Sequence, residues 1–292
     1  MLRVPARGTR LRLALPALRL LPRNLISRAA GRFAGLELPG PLLRGEIRLF
    51  ARAFGVDLSE VRDPLESFGS LQDFFTRALR DGARPIDPAS ESLVSPCDGA
   101  FGESGLVRDG QAFQLKGRPY GLRELLGSAA DAAAFEGGAY ATLYLSPRDY
   151  HRFHTPCALR VERTTYLPGT LWPVNRIGLE GVNALFAQNE RICAFVRASP
   201  GHALLCLVAV GATMVGKVRL GFDSLETNRP GAREERRSYP GGIELAKGAE
   251  WGRFEFGSTI VLLAPPGAVE LEARAPGTPV RLGERIGRLA LA

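Results

Sequence analysis

From Leu93 onward the apolar residues come in short runs of five to eight, separated by glycine and proline: Ala139–Leu145, Ala203–Val210, Met214–Leu220, Thr259–Leu263 and Val269–Ala273. A run of this length is a poor helix face but spans a core as one strand. The spacing predicts an α+β chain with a mainly antiparallel β core, barrel- or sandwich-like, and inserted helices at Leu122–Leu126 and Gly181–Phe186. Turn formers punctuate the tail from Pro276 to Gly287 in the manner of β-barrel or sandwich edges. With 292 residues, 45% of them hydrophobic, the chain can bury a substantial core.

The part before the core reads differently. Residues 9 to 35 suit one or two amphipathic helical pieces, with Leu11, Leu15, Leu18 and Leu21 or Leu25 on one side, kinked or broken at Pro16 and Pro22. Further helices are expected over Leu43–Phe54 and Leu71–Leu79, where Ser70 is a cap and Asp73 favours the first turn. The division that follows is a helical region over residues 1–85 and a β-rich catalytic domain over 86–292. No internal repeat stands out.

Charge is concentrated at this end. Residues 1 to 53 hold eleven arginines against Glu37 and Glu46, a local charge of +9, whereas the whole chain carries +8. Such an arm suits an anionic surface, phospholipid or nucleic acid. No zinc-finger spacing or aromatic RNA-binding motif accompanies the arginines, so nucleic acid is not expected. An arginine-rich helix with a leucine face either lies in a bilayer interface or packs on its own protein core, and the sequence leaves both readings open.

Cys97, Cys157, Cys193 and Cys206 form no C-x-x-C pair and no disulfide framework, which fits a reducing compartment. Leucines alternate with arginines and prolines from Met1 to Arg28, so neither a secretory signal nor a spanning helix is expected.

Two of the three histidines, His151 and His154, fall within Ser146-Pro-Arg-Asp-Tyr-His-Arg-Phe-His-Thr-Pro-Cys157. On a helical turn the i, i+3 spacing would put them on one face, near Cys157, yet no further ligand at a recognised spacing completes a zinc set, and no metal is expected. Asp98 sits in Ser95-Pro-Cys-Asp-Gly-Ala100, where it could equally be bonding its own turn. Ser258 enters an apolar strand without the G-x-S-x-G elbow, which excludes an ordinary α/β-hydrolase arrangement. His202, after the turn-forming Pro200-Gly201, receives no role.

Several segments, in order, carry a resemblance: Phe74-Phe75-Thr-Arg-Ala-Leu-Arg80 with Arg84-Pro-Ile-Asp87, Ser95-Pro-Cys-Asp-Gly99, Tyr144 to Pro156, Asn189-Glu-Arg191, Val210 to Gly216 and Phe256-Gly-Ser-Thr259. Together they resemble the bacterial phosphatidylserine decarboxylases. The family's usual Leu-Gly-Ser-Thr reads Phe256-Gly-Ser-Thr here, a change expected to affect packing and not chemistry.

The resemblance implies a proenzyme that cuts itself between Gly257 and Ser258 into a β chain, 1–257, and an α chain, 258–292, which stay associated. It implies Asp98, His154 and Ser258 as the charge-relay set for cleavage. Ser258 becomes a covalent pyruvoyl group, the cofactor, which takes phosphatidylserine as a Schiff base and yields CO2 and phosphatidylethanolamine. His151 is the candidate proton donor in that turnover, since an imidazole titrates near neutral pH. The expected setting is peripheral, on an anionic membrane surface at the cytoplasmic face; a homo-oligomer is neither required nor excluded. Two rivals make different predictions: a serine hydrolase reusing Asp98, His154 and Ser258 stays intact, and a β-barrel binding module with a nucleic-acid arm binds nucleic acid in a salt-sensitive way.

Overall fold

The computed structural model describes residues 22–114, 118–199, 201–213, 217–255 and 257–290. Leu11, Leu15, Leu18, Leu21, Pro16, Phe256 and the Met214–Gly216 segment lie outside the described residues. Among the described residues the strands are, in chain order, β1 Ser92–Val94, β2 Gly99–Leu106, β3 Gln111–Gln114, β4 Arg118–Gly121, β5 Ala139–Tyr144, β6 Arg152–His154, β7 Ala158–Leu167, β8 Arg191–Ser199, β9 Leu204–Val210, β10 Val218–Leu220, β11 Glu235–Leu245, β12 Glu250–Phe254, β13 Thr259–Ala264, β14 Val269–Leu271, β15 Pro279–Val280 and β16 Arg285–Leu289. All paired strands run antiparallel, and the main sheet has eight in the order β11-β7-β8-β9-β13-β5-β2-β15. This is the α+β, mainly antiparallel architecture expected, but the sheet keeps two edges and does not close into a barrel.

β13 lies at the centre because its residues are apolar on both faces: Thr259–Ala264 is buried throughout, so one set of side chains packs on each side of the sheet. On one side Ile260 and Leu262 join the cluster holding Phe153, Trp251 and Phe254; on the other Val261 and Leu263 join Phe186, Phe195 and Leu185.

Before the first strand, helices occupy Arg23–Ala34, Gly40–Phe54 and Leu71–Phe75 among the described residues. Ser70 caps the last, its Oγ accepting from the Asp73 amide at 3.1 Å, as expected. Leu43, Ile47 and Ala51 form one buried stripe that packs with Val56, Val61, Phe68 and Phe74. Leu42 and Leu49, on the same helix, are 64% and 68% exposed, and Phe33 on the preceding helix is 74% exposed. No helix among the described residues is long and apolar enough to cross a membrane.

Of the later helices, Ala129–Ala133 was not expected, and the others bracket their expected positions. Leu122–Leu126 is helical, whereas the one expected at Gly181–Phe186 is two short helices, Arg176–Gly181 and Leu185–Gln188, with Ala184 between them in the left-handed region at φ 47°.

Candidate active site

The sheet order explains how distant segments meet. Tyr144, the last residue of β5, pairs with Ala100 on one side and Thr259 on the other, and Thr259 pairs in turn with Val210. Asp98, the loop after Tyr144 and Ser258 therefore all lie just beyond one end of the same strands. Gly99 is required by this approach: a Cβ there would fall 2.1 Å from the Tyr144 carbonyl oxygen.

The loop leaving β5 is a tight turn held by its own polar groups. Asp149 accepts from the Ser146 amide and hydroxyl, both at 2.7 Å, and its amide donates to the Ser146 carbonyl at 2.9 Å. The Leu145 amide donates to the Ser258 carbonyl at 2.9 Å, fixing the junction against this loop.

Ser258 is fully buried, and its Oγ has no hydrogen-bond partner among the described residues. The same is true of His151 Nε2. A Cβ on Gly257 would lie 3.5 Å from that nitrogen and 3.2 Å from the Leu145 carbonyl oxygen, so imidazole and loop both crowd the 257–258 junction. Buried polar atoms left without a partner are costly unless used.

His151 Nδ1 lies 2.8 Å from the Asp149 carbonyl oxygen, and because a carbonyl only accepts, Nδ1 carries the proton and Nε2 is bare. Phe75 packs on the ring at 4.0 Å between centroids. Burial, with the nearby Arg77 cation adding to it, pushes this imidazole down to about 3, so it is neutral at physiological pH.

His154 is held elsewhere: Nδ1 lies 2.9 Å from the Gly248 carbonyl and Nε2 3.2 Å from the Tyr150 hydroxyl. Burial lowers its pKa as well. Asp98 receives Arg84 Nε at 2.8 and 2.9 Å, Arg84 Nη2 at 2.6 Å and the Leu282 amide at 2.8 Å, with Glu60 behind the same guanidinium at 2.7 Å. Asp98, His154 and Ser258 thus converge on one end of the sheet, but no hydrogen bond joins any two of them among the described residues.

One premise of the sequence reading is overturned. His151 and His154 do not share a helical face, since Arg152–His154 is the extended strand β6, paired with β12. Side chains alternate along a strand, so i and i+3 point to opposite sides. Hence His151 and Phe153 are fully buried, whereas Arg152 and His154 keep some exposure.

Arg77, Arg84 and Tyr150 were not singled out as site residues, although each lies inside a segment that carried the family resemblance. The signal was an arginine or tyrosine beside apolar positions, which composition does not separate from a surface residue. Asn189-Glu-Arg191 is scaffolding: Asn189 bonds both Trp172 and Gly211, and Arg191 donates to the Leu125, Glu124, Ala187 and Asn189 carbonyls.

Above the junction opens a cleft of about 820 Å³ with mainly apolar walls, among them Ala30, Phe33, Phe50, Phe54, Val174 and Tyr144, and with Gly257 at its base. The helices Arg23–Ala34 and Gly40–Phe54 form one rim, and their exposed Phe33 and Phe54 stand at its edge.

A family model described as phosphatidylserine decarboxylase matches residues 71–288. A phosphatidylserine decarboxylase proenzyme of Anaeromyxobacter sp. (strain K) is 47% identical over 282 residues, 96% of this chain and 99% of the relative. Those of Myxococcus xanthus (strain DK1622) and Acidovorax ebreus (strain TPSY) are 37% and 43% identical, covering 92% and 91% of this chain and 96% and 93% of their own lengths.

Proposed function

Because the chain belongs to the phosphatidylserine decarboxylase family, we propose that it cuts itself between Gly257 and Ser258 and then converts phosphatidylserine to phosphatidylethanolamine and CO2 at a membrane surface. The observation that carries this reading is the pair of buried, unpartnered atoms, Ser258 Oγ and His151 Nε2, on either side of Gly257, which itself lines an apolar cleft.

In the cleavage step Ser258 Oγ attacks the Gly257 carbonyl carbon, the Gly257–Ser258 C–N bond breaks, and the peptide becomes an ester. Loss of the Ser258 α-proton expels the Gly257 carboxylate; the dehydroalanine left at residue 258 adds water and loses ammonia to become the pyruvoyl group. A serine hydroxyl needs a base for the attack. By motif match that base is His154 with Asp98 as its partner, and His151 serves turnover. The geometry favours a second reading of the base, His151 itself, since its bare Nε2 faces Gly257 while His154 Nε2 meets Tyr150.

The residues around 258 fit the pyruvoyl group: it has fewer heavy atoms than the serine it replaces, and the site holds an unused acceptor beside it. Once formed, the group supplies an electrophilic carbonyl for the substrate amine and an electron sink for loss of CO2. A neutral His151 takes the proton that the substrate ammonium must shed and returns it to the carbon that has lost CO2. The mainly apolar lining of the cleft limits water near that carbon.

Both chains remain together in this reading because β13 opens the α chain and pairs with β5 and β9, both from the β chain. Docking uses residues 1–85, the helical region, whose exposed Phe33, Leu42 and Leu49 enter the headgroup boundary of the cytoplasmic leaflet while arginines meet anionic lipid. Residues 86–292 carry the chemistry.

Intact-mass spectrometry under denaturing conditions tests the proposal. Two masses are expected, residues 1–257 and residues 258–292 lighter by one ammonia than a serine-started peptide. A single unmodified chain from protein that is active would overturn it and favour a serine hydrolase.

A further inference from the structure

Arg77 lies two residues beyond the helix Leu71–Phe75 and is only 4% exposed. Its Nη2 donates to the Arg148 carbonyl at 3.1 Å and to the Asp149 carbonyl at 3.3 Å, while Nε and Nη1 have no partner among the described residues. A guanidinium so placed is an expensive way to tie down a loop, because burying a cation with unmet N–H groups costs stability. The carbonyl it holds is the same Asp149 oxygen that accepts from His151 Nδ1.

Resting on the decarboxylase reading above, we propose that Arg77 is a positioning residue: through the shared Asp149 carbonyl it fixes His151 as the Nδ1–H tautomer, with bare Nε2 aimed at the 257–258 junction. Two donors on one carbonyl set its direction, and the carbonyl sets the ring. The cation also opposes a second positive charge on His151. Phe75, next to the same helix end, closes the opposite constraint by packing on the imidazole.

The charged and titratable groups around this pair come from several elements. Glu60 and Asp98 act on Arg77 from the helical region and the turn before β2, and Asp149 and Tyr150 from the loop. Arg77 and the Asp149 carbonyl are the neighbours that act on His151. Asp149's carboxylate is already committed to Ser146.

The test uses the full chain in detergent with ¹⁵N-labelled histidine, tractable with three histidines. Wild type is expected to show one His151 nitrogen of protonated type and one bare; Arg77→Met should give exchanging tautomers. In assays of CO2 release, Arg77→Met should lower kcat about tenfold or more with KM within about twofold, and move the acid limb of the pH profile upward. Arg77→Lys should return the limb and part of the rate. Arg77→Met with His151→Ala should be no slower than His151→Ala alone.

Unchanged tautomer signals in Arg77→Met, or fully additive losses in the double variant, would overturn the proposal. If Arg77→Met does not fold, Arg77→Gln, which keeps an amide donor but no charge, must move the acid limb, and an unmoved limb counts against it. A wild type that neither cleaves nor releases CO2 sinks the decarboxylase reading instead, and the tautomer signals still report on Arg77.

Discussion

His151 Nε2 and the α-carbon of Gly257 face one another so closely that a β-carbon on residue 257 would stand 3.5 Å from the imidazole, and 3.2 Å from the Leu145 carbonyl oxygen. A single methyl group asks both neighbours to give by a few tenths of an ångström; a branched side chain asks more. Gly257→Ala should slow self-cleavage about tenfold, some 1.4 kcal/mol of barrier, and Gly257→Val should stop it. The fraction of the 1–257 fragment over time, read by denaturing gel or mass, checks both.

The four polar residues of the resemblance separate by readout. Ser258→Ala should leave one uncleaved, inactive chain. His154→Ala and Asp98→Asn should slow or stop cleavage, whereas His151→Ala should lose more turnover than cleavage. Should His151→Ala arrest cleavage and His154→Ala spare it, the base is His151, as the position of its Nε2 favours.

Arg84 holds Asp98 at three short contacts with both side chains almost out of solvent. Removing one partner strands the other's charge, so Arg84→Met should cost about 3 kcal/mol, seen as a lower urea midpoint with an unchanged slope. Arg84→Met combined with Asp98→Asn should recover part of that loss, since the buried carboxylate at 98 is then gone and only the more exposed Glu60 loses a partner.

The depressed pKa of His151 sets a pH window for stability. Its folded value, about 3, lies below the ordinary 6.5, so the unfolded chain takes up the proton first as pH falls. The stability is fully present above about pH 6.5 and declines as pH drops from there toward 3, by about 1.4 kcal/mol per unit for this one group. Urea melts at pH 7.5 and 5.0 should differ by about 2 kcal/mol more in wild type than in His151→Gln.

Leu42 and Leu49 lie seven residues apart on one helix face and stand out in solvent, while Leu43, Ile47 and Ala51 of the same helix are buried. Replacing Leu42 and Leu49 with serine should leave folding and self-cleavage intact but weaken sedimentation with anionic liposomes about tenfold or more, at about 0.8 kcal/mol per methylene withdrawn from the acyl region. Equal liposome binding would remove these helices from the docking surface.

Much of this molecule is local and therefore legible in the chain. Short apolar runs became β5, β9 and β13 within a residue of their expected bounds because strand formation follows from a five- to eight-residue alternation or burial pattern that needs no distant partner to be seen. Ser70 as a cap, Leu122–Leu126 as a helix and His202 in a turn, at φ 50°, were equally local. The family motifs brought Asp98, His151, His154 and Ser258 forward by residue type and order.

What the sequence alone determined, then, is which residues can do chemistry and which stretches can be strands. Which of them touch was decided by the sheet order: Tyr144 pairs with both Ala100 and Thr259, and that register, not any spacing in the chain, carries Asp98, the 145–154 loop and Ser258 to one end. The chain entering β6 then left His151 buried and His154 part-exposed, unlike the shared face that a helical turn would have given. Pairing of Asp98 with Arg84 and sharing of the Asp149 carbonyl by Arg77 and His151 depend on side chains 14 and 72 residues apart, and 2, meeting in space. Contacts of that kind are set by packing, because each partner's choice depends on where every other strand has already placed the alternatives.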